Sequence, residues 1–440
     1  MLGRFDGHTR ELLSGTAAAF VLKVAGAALS FGVNLLLARS LGVVGSGEYF
    51  LALSVVTLAA TAGRVGMDLA LVRFVAARFA EGDWSGLRGY ERRGMQIALV
   101  ALGLATAGTI AFAPGLGQLF GMEDGAGLIR LMSLSIMPFG LVWVYAGLLR
   151  GVKRFSASQF VQNVIVPLLL LPLLVGLTGP FAVQGAVGAY VGAALGGSLV
   201  GLYLWRRGLP QDGDHNAREA LPPAQTLLES GWPLFWVRIA TSVLHWFPTF
   251  ALGIWATSAD VGVFNIALRT ALLTGFVLLA TNTVAAPKFA EVYQLRDAAG
   301  MSQIARQAAL LTSLVALAPL VAFMVVPTWV LGFFGDGFAE GAASLQVMAF
   351  GYFVSSLVGP VGHLLAMAGY EPLLRNIMGV STAVAVVCCL MLVPTWGVLG
   401  AGIATAVGLV LQNLMAAWMA YRLFRINVLF FLPATTPRLP

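Results

Sequence analysis

Apolar runs of about twenty residues recur from residue 16 to residue 424, each followed by a short polar connection. At about 1.5 Å rise per residue, such a run crosses a hydrocarbon core of about 30 Å as a helix. Twelve are counted, at about 16–38, 48–72, 94–114, 126–149, 158–178, 183–205, 230–255, 262–287, 302–326, 342–366, 374–394 and 399–424. Strands of a membrane barrel would alternate apolar and polar positions over about ten residues. Runs such as "IVPLLLLPLLVGL" do not. The pattern predicts an all-α integral membrane protein.

Composition agrees with the pattern. Of 440 residues, 59% are hydrophobic and only 10% charged, against about 25% charged in soluble domains. The opening "MLGRFDGHTRELLSG" is too polar for the apolar core of a signal peptide, so the first helix is expected to stay as an anchor. Lys and Arg are retained on the cytoplasmic side. With the N-terminus inside, 20 of the 26 basic residues fall on inside segments, whereas Glu48, Glu123, Asp124, Asp260, Asp336 and Glu340 fall outside. Both termini are therefore expected in the cytoplasm. The net charge of +7 is mainly a topology signal beside membrane helices and needs no nucleic-acid partner.

The stretch "RRGLPQDGDHNAREALPPAQ" after the sixth run is rich in Pro, Gly and charge and reads as a linker. Sliding one half over the other by about 215 residues aligns "GEYFLA" from Gly47 with "GVFNIA" from Gly262, and "QGAVGAYVG" from Gln184 with "LGAGIATAVG" from Leu399. Several short matches at one offset indicate duplication. The expected organisation is a six-helix lobe over 1–206, a cytoplasmic linker over 207–228, a second six-helix lobe over 229–426 and a tail over 427–440. Six is even, so the lobes are parallel repeats, with a substrate site expected in a central cavity.

Ionisable groups in the hydrocarbon region are costly unless they face a wet interior. Lys23, Arg64, Asp68, Arg238 and Arg269 fall there, and Lys23 plus 215 is Arg238. Helical steps from Lys23 reach Ser30 and Asn34, and the same steps from Arg238 reach Ser242, His245 and Thr249. Two such stripes would line a shared vestibule; snorkelling of both cations to the headgroups is the alternative. Arg64 and Asp68 are four apart and can pair as structure alone. Arg269 has no acid at helical spacing, which favours a ligand role.

His245 and His363 are lone histidines in apolar runs, where packing is the simpler role. Cys388 and Cys389 are adjacent in the eleventh run and read as core side chains. No metal-ligand spacing, nucleophilic serine motif, cofactor motif or catalytic residue set is present. "GVVGSG" has its glycines in the wrong order for a dinucleotide loop and no Lys-Ser/Thr of a phosphate loop, so it reads as the bend between the first two helices. The contacts of Arg39 and Arg130 are left open.

A cavity with Lys23, Arg64, Arg238 and Arg269 against one acid prefers an anion, and guanidinium suits phosphate. The runs "LLLARSLGVVGSGEYFLA", "GMDLALVRFVAARFAEGD" and "APKFAEVYQLRD", with the "GA" motifs opening runs six and twelve, resemble the polysaccharide-biosynthesis, or Wzx-type oligosaccharide flippase, family of the MOP superfamily. The resemblance covers nearly the whole chain. It implies MATE-like, V-shaped lobes around a central cavity in the bacterial inner membrane. It further implies a substrate of the undecaprenyl-diphosphate-linked oligosaccharide type, membrane lipids as surroundings, and a polymerase and glycosyltransferases of the same pathway as partners. By position, the four cations would hold the diphosphate or acidic sugars. A MATE-like antiporter of small solutes is the runner-up, although such exporters use membrane-embedded acids and this chain offers only Asp68. A pathway enzyme and a scaffold are the remaining classes.

Overall fold

A computed structural model describes residues 7–122, 124–208 and 221–429. Much of the expected linker, most of the tail, Glu123 and the first six residues lie outside them. Among the described residues every regular element is helical: α1 (Gly7–Gly63), α2 (Met67–Glu81), α3 (Trp84–Leu119), α4 (Gly125–Ser133), α5 (Ile136–Gly151), α6 (Phe155–Gln159) and, after a π turn at Phe160–Val164, α7 (Ile165–Arg206). There follow α8 (Ala224–Trp255), α9 (Ser258–Gln294), α10 (Ala298–Val325), α11 (Pro327–Gly332), a 3-10 turn at Phe338–Gly341, α12 (Ala342–Val358), α13 (Val361–Met367) and α14 (Glu371–Phe424).

Eight helical stretches are long and apolar enough to cross a membrane, fewer than the twelve runs in the sequence. Three of the four missing runs are a matter of continuity; the fourth, 230–255, lies in α8, which is not among the eight. Helix α1 bends at Gly42 (φ 66°), α7 at Ala182 and α14 at Gly397, so each of these long helices carries two of the expected spans. The chain divides into two compact units, one holding the residues up to Leu41 with Glu48–Ser242, the other Gly42–Gly47 with the residues from Val243.

Local detail repeats between the units. Ala182 (φ 46°, ψ −125°) and Gly397 (φ 50°, ψ −124°), 215 positions apart, take nearly one conformation. Three residues on, Gly185 and Gly400 lie against the carbonyls of Leu177 and Leu392, where a Cβ would collide. That close approach is the physical reason for the "GA" motif. The third span of each half also begins alike: the Asp83 side chain accepts from the Gly86 N–H at 2.8 Å, and Asp297 accepts from Gly300 at 2.8 Å. Each satisfies a donor that a helix start leaves without an intrahelical partner.

The halves differ where each interrupts a helix that the other keeps whole. In the first unit, Arg64–Gly66 separates α1 from α2, with Val65 at φ 48° and Gly66 at φ 73°. Gly66 combines that left-handed conformation with a backbone contact to the Gly231 carbonyl of α8, so a side chain would be both strained and clashing. In the second unit, Gly359 (φ 71°) and Pro360 part α12 from α13. Pro360 has no N–H, so the Ser356 carbonyl loses its usual helical donor. The buried Thr312 hydroxyl on α10 donates to that carbonyl at 2.7 Å instead.

Candidate functional site

The break before α2 gathers charge. Arg64 is at its start and Asp68 in the first turn of α2, and the first unit holds both nearly free of solvent, with side chains 5% and 1% exposed. Arg64 Nη1 lies 3.6 Å from Asp68 Oδ2, and Arg64 Nη2 donates to Thr61 Oγ1 at 2.9 Å. Arg238, from α8, brings Nη2 to 3.7 Å from the same Asp68 oxygen, with 30% of its side chain exposed. The cluster therefore opens through Arg238.

Trp143 of α5 supplies the floor. The Arg64 guanidinium sits 4.8 Å and that of Arg238 5.6 Å from its ring centre, inside the range of a cation–π contact. Arg150, two turns along α5, is within electrostatic reach of Asp68 and Arg238. Gly147 between them lets α5 approach the Asp68 backbone.

Three guanidiniums thus face one carboxylate. Both ion-pair distances exceed those of a direct charge-assisted hydrogen bond, about 2.7–2.9 Å, and Asp68 Oδ2 accepts none. Arg64 Nε and Nη1, Arg150 Nε and Nη2, Arg238 Nε and Trp143 Nε1 are buried donors without an acceptor. Buried, uncompensated positive charge costs several kcal/mol. A multi-oxygen anion is what such a donor set can accept, and a phosphate or diphosphate offers oxygens in the planar fork geometry of arginine.

The structure brings Arg64, Asp68 and Arg238 together. Elsewhere in the first unit, Lys23 and Ser30 are half-buried on α1, and Asn34 is buried with its amide donating to the Ser30 carbonyl at 2.7 Å. Ser242 is half-buried on α8. In the second unit, Arg269 is within electrostatic reach of His245, which is exposed and edge-on to Trp246 at 5.1 Å. Thr249 is fully buried and takes a hydrogen bond from Asn265 Nδ2 at 3.2 Å, so its geometry ties α8 to α9.

Trp143, Arg150 and Asn265 are not among the sequence candidates. Trp143 was one tryptophan in an apolar run. Arg150 reads from the sequence as one of the 20 basic residues on the inside segments. Asn265 lies inside the repeat match "GVFNIA", where nothing local marks it. Only Arg150 carried a usable signal, since its helix is otherwise apolar up to that point.

Helices of this length and apolarity make the chain a multi-pass membrane protein, and its fold is that of the MOP transporters. An inward-facing multidrug resistance MATE family transporter of that superfamily matches with a TM-score of 0.74 at 15% identity, over 94% of this chain and 98% of that one. Lipid II flippase MurJ, inward closed, gives 0.74 at 14% identity, over 92% and 87%. A MOP superfamily transporter from Pyrococcus furiosus, for which a reverse polarity of the binding pocket is described, gives 0.68 at 17%, over 94% and 96%. No curated protein matches the sequence. The family of polysaccharide biosynthesis proteins matches over residues 12–293, and the chain belongs to it.

Proposed function

We propose that the protein flips a lipid-diphosphate-linked oligosaccharide, a repeat unit of O-antigen, exopolysaccharide or capsule, across the bacterial inner membrane by alternating access. The observation that carries this reading is the buried surplus of guanidinium donors around Trp143, with Arg64, Arg150 and Arg238 against Asp68. Family membership and the likeness in fold to a lipid II flippase support it. The diphosphate takes the donors of Arg64 and Arg238, while Lys23 and Arg269 serve as further cavity cations. Ser30, Asn34, Ser242 and His245 are polar lining. Both termini are cytoplasmic, the pathway's polymerase and glycosyltransferases act before and after the flip, and the chain itself performs no bond chemistry.

Replacing Arg238 or Lys23 by Ala is expected to abolish surface glycan while leaving membrane insertion intact, with lipid-linked oligosaccharide accumulating on the cytoplasmic face. Normal glycan with both residues replaced would sink the assignment. The equal TM-score to a MATE transporter keeps a small-solute antiporter as the second reading. Unchanged lipid-linked pools together with lost drug resistance in a deletion strain would favour it.

A further inference from the structure

The second unit contains a cavity of about 500 Å³ built entirely from its own helices α9, α12, α13 and α14 and the Gly359–Pro360 break. By the offset of 215, its α9 and α12–α13 walls correspond to the end of α1 with the break before α2, and to α5, the stretches around Arg64, Trp143 and Arg150 in the first unit. Among the described residues charge is absent from the copy: none of the described lining residues is Asp, Glu, Lys or Arg. The polar lining is instead Asn282, Tyr352, Ser355, His363, Gln412 and Asn413, set among leucines, an isoleucine and a methionine. Asn413 Nδ2 donates to Ser355 Oγ at 2.9 Å, which fixes the amide across α12 and α14. The buried Asn282 Oδ1 has no hydrogen-bond partner.

These features narrow the occupant. Among the described lining residues a cation would find no carboxylate, and an anion no guanidinium or ammonium. A hydrocarbon chain would leave the buried Asn282 side-chain carbonyl without a partner, a cost the apolar contacts do not offset. A neutral sugar meets both halves of the lining. Its hydroxyls donate to amide oxygens and accept from amide N–H groups, and its C–H face lies on the aliphatic side chains.

The geometry points to a binding site for a neutral sugar ring of the transported glycan, held by Asn282, Gln412 and Asn413 in the second unit. This rests on the transport function proposed above. The duplicated helices thereby divide the cargo by chemistry, the first unit taking the charged linkage and the second an uncharged sugar.

The test uses the full-length protein in lipid nanodiscs and two probes, a prenyl diphosphate without sugar and the same prenyl diphosphate bearing a neutral oligosaccharide. Asn282→Leu and Gln412→Leu should each weaken the sugar-bearing probe about fivefold to tenfold relative to the bare one, with elution profile and melting temperature kept. Equal loss for both probes, no loss for the sugar-bearing probe, or tighter binding of the bare probe overturns the inference. A wild-type measurement frees the test from folding: a photoactivatable group on the neutral oligosaccharide should label peptides of α9, α12–α13 or α14. Label confined to other peptides also overturns it. Wild-type protein that binds neither probe sinks the transport function and this inference with it, whereas binding of both without any variant effect sinks this inference alone.

Discussion

Arg238 and Arg64 close on one oxygen of Asp68 from opposite ends of the first unit's sequence, at 3.7 and 3.6 Å. The carboxylate is the counter-ion that makes one buried and one half-buried arginine tolerable. Asp68→Asn should therefore cost about 3 kcal/mol, toward the lower end for a broken buried pair because Arg238 reaches solvent. Thermal unfolding in detergent reads this loss. Inorganic pyrophosphate should raise the melting temperature of the variant more than that of the wild type, since it replaces the missing negative charge.

Charge alone does not describe Arg238, whose guanidinium lies over Trp143. A lysine keeps the charge but loses the flat donor fork and much of the stacking. Arg238→Lys is expected to insert and melt like the wild type yet restore little of the glycan export lost in Arg238→Ala. Full restoration would show that a point charge suffices there.

Ala182 occupies a conformation that its partner position fills with Gly397. A Cβ at φ 46° and ψ −125° is strained by roughly 1–3 kcal/mol. Ala182→Gly should raise stability by about 1 kcal/mol and Gly397→Ala should lower it by a similar amount. Melting temperatures of the two single variants, moving in opposite directions, decide the point.

The Ser356 carbonyl depends on the Thr312 hydroxyl because Pro360 cannot supply an N–H. Thr312→Val keeps the shape and removes the donor, leaving Ser313 Oγ at 3.3 Å as the remaining contact. A loss of about 1–2 kcal/mol is expected, and hydrogen exchange should rise at the α12–α13 junction before it rises elsewhere.

Hydrogen bonds from Gly86 and Ser85, assisted by Arg78, hold the Asp83 carboxyl below its ordinary value of 3.8. A depressed carboxyl adds stability above the unfolded value, and that stability is lost as pH falls through the native one. The start of α3 should therefore stay protected at pH 5 and loosen below about pH 4, as hydrogen exchange over residues 84–92 would report. Asp83→Ala should abolish that pH dependence and cost about 1 kcal/mol.

The apolar spans and the bend near Gly42 could be read from the chain because apolar length and a glycine at a turn are each a property of one segment. The run 48–72 nonetheless conceals the break at Arg64–Gly66. "GRVGMD" has the two glycines for it, but apolar content on both sides makes the stretch look continuous. The site was visible in part for a related reason. Spacing along one helix places Arg64 near Asp68, while the approach of Arg238, Trp143 and Arg150 comes from other helices and leaves no mark on the local pattern. Helical spacing sets Thr249 on a polar stripe, and its bond to Asn265 across to α9 leaves no mark on that spacing.

The paired bends at Ala182 and Gly397 carry a consequence for how the chain tolerates change. Each is followed by a glycine seated on the carbonyl eight positions before it, Gly185 on Leu177 and Gly400 on Leu392. One residue differs at the apex while the backbone angles nearly coincide, so the corner behaves as an interchangeable part. Grafting residues 177–186 in place of 392–401, or the reverse, should yield a chain that still inserts, with its new corner bent to the same angles as the old.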